Sequence, residues 1–152
     1  MSKILMVCLG NICRSPLAEG ILKSKTEHLD VIVDSAGTAA YHIGSQPDIR
    51  SIEIANKYGI DLRNQRARQF SRADFDEFDI IYAMDTNNFA HLTSLAENQN
   101  ERNKIRMILN EIKSESFDSV PDPYYGGDNG FQNVYEMLNK VCEIITQNLE
   151  KR

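Results

Sequence analysis

The chain has 152 residues, of which 41% are hydrophobic and 26% charged, and its net charge is −5. That is the make-up of one soluble globular domain, 1–152, long enough to bury a real core. It excludes a membrane-crossing helix, since no apolar run approaches about 18 residues, and the acidic balance argues against nucleic-acid binding, which favours a basic surface.

Three cysteines, an odd number, with only Met1-Ser2-Lys3 before the first apolar run, suggest a reducing, cytoplasmic setting with no signal peptide. Lys3 to Val7 is a short apolar run that reads as a buried first strand. After the segment Cys8 to Ser15, Pro16 suits a first helical position with Ser15 as its cap, and Leu17, Ala18, Ile21 and Leu22 form an inner stripe. Val31-Ile32-Val33 is a second short strand, ending in Asp34-Ser35-Ala36-Gly37-Thr38. A polar loop with Tyr41 and His42 follows. Pro47 opens a helix with Ile49, Ile52 and Ala55 inward and Gly59 as its stop.

Arg63 to Arg68 reads as a basic surface connection. Ser71 with Asp74 resembles a capping box on a short helix. Phe78 to Ala83 is a third strand, and Asp85 or Thr86 caps a helix with Phe89, Leu92 and Leu95 inward. Ile105 to Leu109 reads as a fourth strand, with a helix as the alternative. Pro121 to Gly130 is a loop. The last helix carries Phe131, Val134, Tyr135, Leu138, Val141, Cys142, Ile145 and Leu149 on one stripe. Strands alternating with helices predict an α/β fold, a parallel sheet with helices on both faces and its ligand site beyond the C-terminal strand ends.

The segment Cys8-Leu9-Gly10-Asn11-Ile12-Cys13-Arg14-Ser15 therefore joins a strand to a helix N-terminus. Free backbone N–H groups and the helix dipole make such a loop an anion site. An isolated thiol is largely protonated at neutral pH, but N–H donors and a nearby Arg favour the thiolate. Arg14 can grip two phosphate oxygens in a fork. Gly10 permits positive φ and Asn11 tolerates it, so the loop can curl its amides inward. The segment reads as a phosphate cradle with a nucleophile, Cys8, at its base.

Expelling the alcohol of a phosphate ester calls for an acid. His28, His42 and His91 show no promising spacing, and no metal-ligand pattern is present. Asp122, stiffened by Pro121 and Pro123 and followed by Tyr124 and Tyr125, is a better candidate, although Asp-Pro pairs are also common turn formers.

Val7-Cys8-Leu9-Gly10-Asn11-Ile12-Cys13-Arg14-Ser15-Pro16, with its Cys-x5-Arg-Ser core, resembles the signature of the low-molecular-weight protein tyrosine phosphatases. Asp122-Pro123-Tyr124-Tyr125 resembles their late general-acid loop. Asp34 to Thr38 and Ala83-Met84-Asp85 match in type and order. The resemblance implies a four-stranded parallel sheet, no cofactor and phosphotyrosine proteins as partners. It implies Cys8 as nucleophile, Arg14 as phosphoryl ligand and Asp122 as general acid and base. It favours Ser15 as a donor to the Cys8 thiolate over a helix cap, and it supports a protective Cys8–Cys13 disulfide. Leu9, Gly10, Asn11, Ile12 and Cys13 complete the loop, and Asn11 shapes it with help from Ser35. Asp85 reads first as a helix cap. Leu9, Tyr41, Tyr124 and Tyr125 are candidate walls for a phenyl ring, and the two late tyrosines are phosphorylated in some relatives. A monomer is expected.

Relatives acting on phosphoarginine carry Thr at the position of Ile12, so Ile12 favours phosphotyrosine. An arsenate reductase shares a similar first loop but relays a disulfide through further cysteines, and none lies between Cys13 and Cys142. A module that only carries a phosphoryl group on Cys8 would not need Arg14 and Asp122 together.

Overall fold

A computed structural model describes residues 1–112, 118–123 and 129–151. Its elements are β1 (Ser2–Cys8), α1 (Arg14–Lys25), β2 (Val31–Gly37), α2 (Ile49–Lys57), α3 (Ala73–Glu77), β3 (Ile80–Ala83), α4 (Thr86–Leu95), α5 (Gln99–Lys104), β4 (Ile105–Met107) and α6 (Gly130–Glu150). The four strands form one parallel sheet in the order β2-β1-β3-β4. The predicted α/β fold is the observed one.

Alternation along β1 explains the layers. Ile4 and Met6 face Leu17 and Ile21 of α1 and Val134 and Leu138 of α6. Leu5 and Val7 face Phe75 of α3 and Leu92 of α4. Successive strand side chains point to opposite faces, so a strand covered on both sides is apolar throughout. Cys8 belongs to the α1/α6 face. The chain turns back across β1, with β2 on one side and β3 on the other, so the sheet's switch in strand order falls at the C-terminal end of β1. The Cys8 loop leaves there.

Several expectations change. β2 runs to Gly37, because Thr38 and Ala39 N–H groups go on to donate to the Cys8 and Leu9 carbonyls, at 2.9 Å each. The start of α1 has no side-chain cap, and the Ser15 hydroxyl, expected there, is engaged by Cys8 and Asn11. Ile49 is 63% exposed, and α2 buries Ser51 and Ala55. Only half of the Ser71–Asp74 box forms: Asp74 accepts from the Ser71 N–H. β4 stops at Met107 and passes into a 3-10 turn, Ile108–Glu111, preceded by the unpredicted α5. Asp85 does cap α4, accepting from the Asn88 N–H at 2.7 Å. Tyr124 and Tyr125 lie outside the described residues. No helix among the described residues is long and apolar enough to cross a membrane.

Gly37 is where β2 meets the loop. A Cβ there would stand 2.7 Å from the Leu9 carbonyl oxygen and 3.1 Å from the Gly10 carbonyl carbon, both backbone. Gly37→Ala is expected to destabilise the fold by about 1–3 kcal/mol, read as a lower Tm. An unchanged Tm would mean that the loop is not held against β2 as described.

Candidate active site

Cys8, Leu9, Gly10, Ile12, Cys13, Arg14, Tyr41, His42 and Asp122 line one cleft of about 170 Å³. A larger groove, about 500 Å³, lies between α1 and residues 59–66 and contains none of the loop residues. Size and sequence pattern therefore point to different places, and the smaller cleft is the one that gathers the loop residues and Asp122.

The loop takes its shape from Asn11, whose φ of 57° is left-handed. That conformation is costly for a side-chain-bearing residue and needs outside support. Asn11 has it on both sides: Nδ2 donates to Ser15 Oγ at 2.8 Å, and Oδ1 accepts from the Arg68 N–H at 3.0 Å. Ser15 Oγ lies 3.0 Å from Cys8 Sγ. Gly10, by contrast, does not use positive φ. Its missing Cβ instead makes room for His42, whose Cδ2 would be 3.0 Å away. Ser35 does not support Asn11; its hydroxyl donates to the buried Glu19. The Ile12 carbonyl accepts from the Asp48 N–H at 2.8 Å, tying the loop to the start of α2.

Arg14 is only 3% exposed. Its Nη1 donates to Asp85 Oδ2 at 2.7 Å and to the Val120 carbonyl at 2.9 Å. Burial works against its charge, but the neighbouring Cys8 and Asp85 hold its pKa above the ordinary arginine value. Asp85 is thus both a helix cap and an ion-pair partner of the guanidinium. Val120 also donates its N–H to the Met84 carbonyl at 2.7 Å, so the 118–123 segment is anchored just before Asp122. Asp122 Oδ2 lies 3.9 Å from Arg14 Nη2. The Cys8 thiol, the Arg14 guanidinium and the Asp122 carboxylate, the last more than a hundred residues further along the chain, share one cleft.

Cys8, Cys13 and Cys142 are all free thiols here. Burial, with Asp48 and Cys8 adding to it, pushes the Cys13 thiol up to about 12. Burial does the same to Cys142, up to about 12, deep between α1 and α6. Leu9 and Tyr41 stand exposed at the mouth, at 44% and 76%. His42, with no promising spacing in sequence, edges against Tyr41 and lines the same mouth. His28 pairs instead with Glu150 on the surface. Among the described residues no group of His, Cys, Asp and Glu could hold a metal ion.

Sequence reasoning missed Arg68 and the Arg14 partnership of Asp85. Neither has a local signal, because the Arg68 contact to Asn11 is made by its backbone and Asp85 already satisfies a helix-cap pattern.

The family model for low molecular weight phosphotyrosine protein phosphatase matches residues 3–152. The chain is 40% identical over 142 residues to the low molecular weight phosphotyrosine protein phosphatase of Schizosaccharomyces pombe, covering 90% of this chain and 89% of that one. Among solved structures it resembles a protein tyrosine phosphatase from Entamoeba histolytica with Hepes in the active site, with a TM-score of 0.92, 38% identity and coverage of 99% and 98%. It also resembles a Drosophila arginine phosphatase, with a TM-score of 0.88, 34% identity and coverage of 96% of both chains. The chain belongs to the low molecular weight phosphotyrosine protein phosphatase family. Its enzyme class is that of a protein-tyrosine-phosphatase.

Asp85→Asn retains an oxygen for the cap but removes the charge facing Arg14. A side chain misplaced by about 1 Å can cost on the order of 100-fold in rate. The expected outcome is a 10- to 100-fold lower kcat/KM on an aryl phosphate with Tm little changed. Wild-type activity in this variant would mean that Asp85 only caps α4.

Proposed function

We propose that the chain hydrolyses protein phosphotyrosine and small aryl phosphates through a phosphocysteine on Cys8. Supporting this is one arrangement: Cys8, the buried Arg14 and Asp122 border a single cleft, with Arg14 Nη2 3.9 Å from Asp122 Oδ2.

The Cys8 thiolate attacks phosphorus, forming the S–P bond as the ester P–O bond breaks. Asp122, protonated at this stage, gives its proton to the departing phenolate oxygen. Arg14 and the loop amides hold the equatorial oxygens as charge spreads over them. In the second step Asp122, now a carboxylate, takes a proton from water. The water oxygen bonds to phosphorus, and the Cys8 thiolate leaves with inorganic phosphate as product. Ser15 donates to the Cys8 sulfur when it carries charge. No metal enters either step. All three groups belong to one chain, and a monomer built of a single domain, 1–152, is part of this proposal.

Phosphotyrosine is preferred because the phosphate loop is set behind an apolar and aromatic mouth, Leu9 and Tyr41, on which a phenyl ring can stack. Phosphoarginine, the competing substrate, is disfavoured by Ile12 at the cleft wall. A redox relay from Cys8 would need a reachable thiol beyond Cys13, and Cys142 is sealed in the core.

Cys8→Ser should abolish turnover, and Asp122→Ala should cut kcat by about 100-fold or more while phosphopeptide binding persists. EDTA should have no effect. A panel of phosphotyrosine, phosphoserine and phosphoarginine peptides should rank phosphotyrosine first by kcat/KM; phosphoarginine in first place would reassign the substrate.

A further inference from the structure

The segment between α2 and α3, read from sequence as a basic surface connection, is built into the site. Arg68 spans it with two different parts. Its backbone N–H donates to Asn11 Oδ1 at 3.0 Å, and its carbonyl accepts from the Gly37 N–H at 2.8 Å. Its guanidinium reaches Asp34 Oδ2 on β2, with Nη2 at 3.2 Å, and both oxygens of Asp74 on α3, at 3.1 Å each.

The backbone contact decides a polarity. A peptide N–H can only donate, so the Asn11 side chain must turn its oxygen to Arg68 and its NH₂ to Ser15. Ser15 Oγ then accepts from Asn11, and the hydroxyl proton is left to point at Cys8 Sγ, 3.0 Å away. The direction Arg68 N–H to Asn11, Asn11 to Ser15, Ser15 to Cys8 is the one that stabilises a thiolate. Reversed, Ser15 would offer the sulfur a lone pair.

We infer that Arg68 is a positioning residue for the nucleophile: its side chain, clamped between Asp34 and Asp74, holds its own backbone N–H where it fixes the left-handed Asn11 and aims the Ser15 proton at Cys8. Asp74 is buried, at 5% exposure, and also accepts from the Ser71 N–H at 2.9 Å, so the clamp has a rigid end. Burial works against the Arg68 charge, yet Asp74, and after it Asp34, hold its pKa above the ordinary arginine value. The inference rests on Cys8 being the nucleophile.

The test is a double-mutant cycle on kcat/KM for an aryl phosphate, well below each variant's Tm. Arg68→Met keeps the stem and deletes both ion pairs. Alone it should lower kcat/KM by about 10-fold. In an Asn11→Ala background the same change should cost less than about 2-fold, because residues acting through one network are non-additive. Arg68→Lys, whose single ammonium can serve one carboxylate at a time, should recover part of the loss and show the same coupling; it carries the test if Arg68→Met does not fold. Equal losses in both backgrounds, or an Arg68→Met enzyme within about 2-fold of the parent, would overturn the role. Cys8→Ser is run alongside. If it retains turnover, the nucleophile assignment falls and this inference with it. If it is inactive while the Arg68 effects are additive, only the Arg68 role falls.

Discussion

A buried guanidinium needs partners from several directions, and Arg14 draws them from distant segments of chain. Asp85 comes from the end of β3 and the Val120 carbonyl from the segment ahead of α6. Breaking a buried charge pair is costly, on the order of 3–5 kcal/mol, so this junction constrains everything around it. It fixes the end of the first loop, the start of α4 and the approach of Asp122 at once. The catalytic carboxylate in the proposed mechanism is brought to the cleft by the same contact that orients the phosphate ligand.

The other half of the site depends on a strained residue. Asn11 is held left-handed by bonds to Ser15 and to the Arg68 backbone. β2 backs this arrangement through Gly37, where only hydrogen fits against the Leu9 carbonyl. Loop, β2 edge and the segment before α3 thus form one assembly behind Cys8. Strain of this kind persists where surrounding structure over-determines it, and it clusters at functional sites.

The layers of the fold were legible from periodicity. Leu17, Ala18, Ile21 and Leu22 and the stripe from Phe131 to Leu149 are buried as their spacing implies, while Glu19 and Gly20, off that stripe, are buried as well. Cys8 and Arg14 were legible because their chemistry is local to one loop. Asp122 was a weak turn signal until the resemblance gave it a role. Local rules failed where one side chain had two suitors. Ser15 fits a helix cap by pattern, but the cleft's sulfur and Asn11 claim its hydroxyl. Asp85 is a cap and also an ion-pair partner, and pattern sees only the first. Ser35 was expected to help Asn11 but serves Glu19, a buried acid that requires a donor. Arg68 had no sequence signature, since its contact to Asn11 runs through backbone across 57 residues.

The central claim is covalent transfer of phosphate to Cys8. Rapid acid quench of the enzyme during turnover of an isotopically labelled phosphotyrosine peptide, followed by peptide mapping, tests it directly. The mechanism predicts label on the peptide containing Cys8, at a stoichiometry approaching one per chain when breakdown is slowed. Turnover with no labelled protein at any quench time, or label on a residue other than Cys8, would contradict it.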